Sequence, residues 1–269
     1  MMKKRPFLTR CLTLGLGLAL LPLRAEESPA VPENLQLFLL IGQSNMAGRG
    51  KVTPADKKPH PRIFSLGKNL QWKPATDPLH FDKPGMAGTG LASEFARQLV
   101  AQDPDLHIGL IPCAFGGTSL SQWQPDGKLY RDAITRTKAA LKNGQLAGIL
   151  WHQGEADSSK EKMAAYPKKF DRMMTQLRKD LSADGVPLLI GELPAFRAKK
   201  GDTPEKKEAI SQLLIKFNAM LGECAERHEP AALVSAADLS AKSDNTHFDR
   251  AGLLTFGQRY AASYLELTK

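Results

Sequence analysis

The sequence predicts an α/β fold, a three-layer α/β/α sandwich around a mostly parallel five-stranded sheet. Three observations point there. Strand-like runs at residues 37–41, 107–113, 146–151, 186–191 and 232–236 alternate with segments whose apolar residues recur at helical spacing, the pattern of β–α–β crossovers. The first run, Leu37, Phe38, Leu39, Leu40 and Ile41, lacks in-and-out alternation, as expected of a strand covered on both faces. Glycines and polar residues crowd the positions just after the runs, where open parallel sheets place a ligand crevice.

Lys3, Lys4, Arg5 and Arg10 precede an apolar stretch from Cys11 to Leu23, and Ala25 then meets Glu26 and Glu27. This is the layout of a secretory signal peptide over residues 1–25, its apolar stretch shorter than the ~20 residues of a membrane-spanning helix. The expectation is a secreted or periplasmic protein with no stable membrane insertion. A linker follows at 26–34, then one domain at 35–269, long enough for a substantial core. Removing Lys3, Lys4, Arg5, Arg10 and Arg24 takes the formal charge from +9 to +4, and no dense basic stripe with interleaved aromatics remains, so nucleic acid is not an expected partner. Cys113 and Cys224 are expected as two buried thiols, a single disulfide being the alternative.

Gly42 breaks the first strand for a tight turn and puts Ser44 at its carboxyl end, where the first N–H groups of the next helix can face a developing negative charge. Alone, such a serine reads as a helix cap or turn residue; its partners decide. From Arg49 to Gly90, six prolines and no sustained period give a long irregular segment, expected to wall a cleft, with His60 and His80 as surface loop residues. A packing helix at 91–101 carries Leu91, Phe95 and Leu99. The second strand ends at Cys113, and beyond it Gly116 and Gly117 can leave a backbone N–H uncovered, as an oxyanion hole requires. Trp123 either lines the cleft or covers the core.

A helix at 129–141 leads to the third strand at 146–151 and then to Gln153 and Glu155. Gln153 supplies a neutral amide donor, and Glu155 is close enough to share the cleft. The next helix, at 160–181, shows a core stripe of Met163, Tyr166, Phe170, Met173, Met174 and Leu177. After the fourth strand a lysine-rich loop runs to Asp202, and Thr203 caps a helix that has Pro204 at its first position. The fifth strand precedes Asp244 and His247, with a last helix from 250 to about 265. His247 is the natural general base for Ser44, and Asp244, three residues before it on a turn, can bond the other ring nitrogen and fix the tautomer.

Gly-Gln-Ser-Asn-Met-Ala-Gly at 42–48, Gly116 and Gly117 with Thr118, Trp-His-Gln-Gly-Glu at 151–155 and the Asp244-x-x-His247 pair occur in an order that resembles the SGNH-type hydrolases. More narrowly, they resemble the branch holding carbohydrate esterase family 6 acetyl xylan esterases and sialate O-acetylesterase-like domains. The resemblance covers roughly residues 36–265. It implies a flavodoxin-like SGNH hydrolase fold with Ser44 as nucleophile and His247 as base. It also implies an oxyanion hole made by the Ser44 N–H, a glycine N–H at Gly116 or Gly117, and the Gln153 amide. Asp244 is the expected acid, with Glu155 as the alternative acid or a cleft residue. Gln43 stands where the wider group has Asp and Gln153 where it has Asn, and both changes agree with the narrower branch.

The activity so implied is removal of O-acetyl groups from an acetylated oligo- or polysaccharide such as xylan, through an acetyl-serine. A sialic acid ester is the alternative, with Arg49 and Arg62 as candidates to hold its carboxylate. A non-catalytic carbohydrate-binding protein on the same fold is the reading from another class, and the complete set of chemical residues argues against it. No cofactor is expected, and no metal, since neither His-Glu-x-x-His nor Cys-x-x-Cys occurs.

Overall fold

The computed structural model describes residues 31–269 together with Met2, so the rest of the expected leader and most of the linker lie outside the described residues. The strands are β1 (Leu35–Gly42), β2 (Ile63–Leu66), β3 (Trp72–Pro74), β4 (Ile108–Pro112), β5 (Gly144–His152), β6 (Leu188–Gly191) and β7 (Ala231–Val234). They form one sheet in the order β3-β2-β4-β1-β5-β6-β7, parallel throughout except for the antiparallel β2–β3 pair at its edge. The helices are α1 (Ser44–Ala47), α2 (Ala92–Gln102), α3 (Lys128–Ala140), α4 (Lys160–Met163), α5 (Tyr166–Leu181), α6 (Pro204–Glu226) and α7 (Arg250–Leu267).

β1 lies at the centre of the sheet and feeds both cores. Leu35, Leu37, Leu39 and Ile41 pack with residues of α3, α5 and α6 on one face, while Phe38 and Leu40 pack with α2 and α7 on the other. All six are fully buried, and each such side chain contributes about 1.5–3 kcal/mol by leaving water. That double covering is why the run shows no alternation.

The architecture is the predicted three-layer α/β/α sandwich, with seven strands where five were expected. The two extra strands come from the segment after Arg49. β2 has four residues, all buried, and so presents no period; β3 has three and carries a proline on an edge, where the missing N–H costs no ladder bond. The single helix expected at 160–181 is two, because Pro167 lacks an N–H and its ring would strike the carbonyl of Met163, where α4 stops. His80 is 4% exposed rather than on the surface, and burial pushes its imidazole down to about 4, so it is neutral. His60 is half-buried. Cys224 is buried and Cys113 half-buried, both free thiols. Among the described residues no helix is long and apolar enough to cross a membrane.

The segment between β1 and α2 is tied down by buried carboxylates. Asp56 accepts both nitrogens of Arg250 at 2.8 and 2.7 Å, joining this segment to the start of α7. Asp77 is 2% exposed, and desolvation raises its carboxyl from the ordinary 3.8 to about 7. Its native pKa lies above its unfolded one, so the stability it contributes is complete below about pH 4 and is lost as pH rises through 7. Asp77→Asn removes that loss. Urea unfolding should show the variant gaining roughly 3 kcal/mol relative to wild type between pH 5 and pH 8. A pH-independent difference would show that Asp77 is ionised in the native state.

Candidate active site

The site lies at the carboxyl ends of β1, β4 and β5. Gly42 ends β1 at φ +131°, and a Cβ there would stand 2.1 Å from the carbonyl oxygen of His152, so only glycine lets the two strand ends run this close. The Gln43 N–H donates to that same carbonyl at 2.9 Å, and the chain turns directly into α1, whose first residue is Ser44. The Ser44 N–H is thereby one of the orphan donors of a helix start.

Ser44 Oγ is 3.0 Å from His247 Nε2, and His247 Nδ1 is 2.7 Å from Asp244 Oδ2. The second Asp244 oxygen accepts the N–H groups of Thr246 at 2.8 Å and His247 at 2.9 Å. Partial burial would raise the Asp244 carboxyl, but the His247 ring and these two amides outweigh it and hold it at about 2. An ionised Asp244 fixes the proton on Nδ1 and leaves Nε2 as an acceptor for the Ser44 hydroxyl.

Glu155 is in the cleft but makes no bond to His247. Its carboxylate accepts from Asn45 Nδ2 at 2.5 Å and lies 3.4 Å from His152 Nε2. Burial alone would raise it, yet His152 and Arg197 hold it ionised. Of the two carboxylates, Asp244 is thus the one that meets the imidazole.

The glycine turn separates two roles. The Gly116 N–H donates to Asp82 Oδ2 at 2.8 Å, and the same oxygen accepts Arg49 Nη2 at 2.6 Å. A Cβ on Gly116 would lie 2.3 Å from Arg49 Nη2, so this buried pair requires glycine. Gly117, exposed and at φ +80°, has no acceptor for its N–H among the described residues and lines the cleft. Gln153 is displaced from its expected place. It is fully buried, and its amide nitrogen donates to Asp157 at 2.6 Å, the Thr118 carbonyl at 3.1 Å and Gln43 at 3.3 Å. It supports the floor beneath the turns instead of facing the cleft. Trp123 is core, its indole N–H bonded to Thr118 Oγ1.

The cleft encloses about 320 Å³ and is lined by Ser44, His247, Gly116, Gly117 and Glu155 among others. Arg49 is there, as the sequence suggested. Arg62 is not: it donates to the carbonyls of Val100, Asp103 and Leu106, closing the end of α2. Sequence reasoning missed Lys83, Arg197 and Lys200, cations from two loops that also line the cleft. The lysine-rich loop running to Asp202 was the one visible sign of Arg197 and Lys200, and Lys83 had none.

The family model for carbohydrate esterase, sialic acid-specific acetylesterase, matches residues 34–266. A probable carbohydrate esterase of Arabidopsis thaliana is 32% identical over 262 residues, 90% of this chain and 94% of that protein. The solved structure of an Arabidopsis thaliana protein superposes with a TM-score of 0.72 at 28% identity, covering 87% of this chain and 98% of that one. A probable 9-O-acetyl-N-acetylneuraminic acid deacetylase of Escherichia coli K12 is 29% identical over 201 residues, 56% of this chain and 62% of that protein. With a family match over nearly all described residues, the chain belongs to the carbohydrate esterase, sialic acid-specific acetylesterase family, and so to the carboxylic ester hydrolases.

Proposed function

We propose that this protein removes O-acetyl groups from a carbohydrate by two-step acyl transfer at Ser44. The observation that carries this reading is the continuous Ser44, His247, Asp244 chain, at 3.0 and 2.7 Å. Ser44 Oγ attacks the ester carbonyl while its proton passes to His247 Nε2. The oxyanion is met by the N–H groups of Ser44 and Gly117. As the C–O bond to the sugar breaks, Nε2 returns the proton to the leaving oxygen. Water then attacks the acetyl-serine with its proton taken by His247 Nε2, and as the acyl–Oγ bond breaks Nε2 returns that proton to Ser44 Oγ and acetic acid departs, ionising to acetate. We place the enzyme outside the cytoplasm on the strength of residues 1–25.

The cleft favours a sugar that carries a carboxylate. Asp82 neutralises Arg49, and Glu155 faces Arg197, whereas Lys83 and Lys200 line the cleft with no carboxylate partner among the described residues. Neutral acetylated xylan offers these ammonium groups hydroxyl and ester oxygens but no opposite charge. An O-acetylated sialic acid does, in keeping with the name of the Escherichia coli relative.

Acetate release from O-acetylated sialic acid, acetylated xylan and an aryl acetate tests this, with Ser44→Ala as background. The sialic acid ester is expected to have the largest kcat/KM. Lys83→Ala and Lys200→Ala should each raise KM for it about 10-fold, the worth of one charge-assisted contact at a partly wet site, with a smaller effect on the aryl acetate. Preference for neutral xylan would overturn the substrate assignment and leave the Ser44 chemistry standing.

A further inference from the structure

Resting on Ser44 as nucleophile and His247 as base, we infer that Asn45 and Glu155 form a buried clamp that holds His247 at its working distance from Ser44. His247 sits on a loop between β7 and α7, with its side chain 17% exposed, and a general base on such a loop needs something to fix it. Asn45 follows the nucleophile directly and is fully buried. Its Nδ2 donates to the Thr246 carbonyl at 3.2 Å, and its Oδ1 accepts the Phe248 N–H at 3.2 Å. One side chain therefore grips the backbone on both sides of His247. Its second amide hydrogen goes to Glu155 Oε1 at 2.5 Å.

These three partners demand one orientation of the amide. Phe248 needs an acceptor, Thr246 and Glu155 need donors, and a flipped Asn45 would break all three bonds. Glu155 holds that orientation from the turn after β5, and Arg197 anchors the turn by donating to the Glu155 carbonyl at 3.1 Å. The clamp thus links the ends of β1 and β5 to the His247 loop. Glu155 is costly in stability terms. Its other oxygen, Oε2, is buried without a hydrogen-bond partner among the described residues, and a buried carboxylate is weak support for a fold. Placement of His247 accounts for it: a nucleophile and base displaced by about 1 Å lose on the order of 100-fold in rate. Asn45 and Glu155 are positioning residues, since neither touches the reacting atoms.

The test compares Asn45→Ala, Glu155→Ala, Glu155→Gln, the alanine double variant and Ser44→Ala, on an aryl acetate and by proton NMR without substrate. Asn45→Ala and Glu155→Ala should each lower kcat about 100-fold with KM within about twofold, and the double variant should be no worse than either. Glu155→Gln should recover to within about fivefold, because its Oε1 still accepts from Asn45 and its new NH2 takes the place of an oxygen that bonds to nothing. The low-field Nδ1 proton of His247 should shift in Asn45→Ala and stay in place in Glu155→Gln. Wild-type kcat in Asn45→Ala, a Glu155→Gln as impaired as Glu155→Ala, or multiplying losses in the double variant would each overturn the clamp. Should an alanine variant unfold, Glu155→Gln and its Nδ1 resonance still decide. Activity surviving in Ser44→Ala would overturn the nucleophile assignment itself, which the NMR comparison does not use.

Discussion

Ser44→Ala and His247→Ala are each expected to lower kcat for an acetate ester by about 10⁶-fold, with the double variant no lower than either. Nucleophile and base act as one unit: without Oγ the imidazole has no proton to take, and without the imidazole the hydroxyl is too weak a nucleophile at neutral pH. What survives is binding and the two backbone donors, neither of which depends on these side chains. Fold should be retained, because among the described residues Ser44 makes one side-chain bond, to His247, and that bond closes no core. Acetate release and a thermal melt on each variant check this. A double variant far weaker than both singles would mean that the two residues serve separate steps.

Asp244→Asn is expected to lower kcat on the order of 10⁴-fold, the loss that accompanies a wrong histidine tautomer. Oδ1 accepts two backbone N–H groups, from Thr246 and His247, so an asparagine must place its oxygen there and its NH2 against Nδ1. Nδ1 then has to accept, the ring proton moves to Nε2, and Ser44 meets a donor where it needs an acceptor. Glu155→Gln, at a residue the imidazole does not touch, should stay within about fivefold of wild type. The Asp244 pKa is depressed from 3.8 to about 2, so its support is present above the ordinary value and is lost only as pH falls through 2. Protonation of Asp244 therefore does not limit activity at mildly acidic pH. Activity of Asp244→Asn close to wild type, with Glu155→Gln inactive, would transfer the orienting role to Glu155.

Legibility in the sequence followed the range of the interactions. The five expected strands announce themselves as apolar runs, longer in β1, β4 and β5 and four residues each in β6 and β7. β2 and β3 do not, since Ser65 interrupts the four residues of β2 and β3 is a three-residue edge with Lys73 at its centre. Ser44 after Gly42, and Asp244 three residues before His247, are local arrangements in which a turn presents both groups, and the structure brings all three side chains together.

What the sequence by itself determined is the layer architecture and a short set of candidates, Ser44, His247 and one of two carboxylates, written in apolar periodicity and short-range spacing. Only the tertiary structure decided which carboxylate meets the imidazole, which glycine keeps its N–H free and what surrounds the cleft. Asp82 reaches Gly116 across 34 residues of chain and leaves Gly117 as the free donor. Asp157, the Thr118 carbonyl and Gln43 take the Gln153 amide away from the cleft. Lys83 and Lys200 arrive from separate loops to give the cleft its charge, while Arg62 is drawn to the carbonyls closing α2. A hydrogen-bonding group serves the partner nearest to it in space. Spacing along the chain predicts that partner only within a single turn.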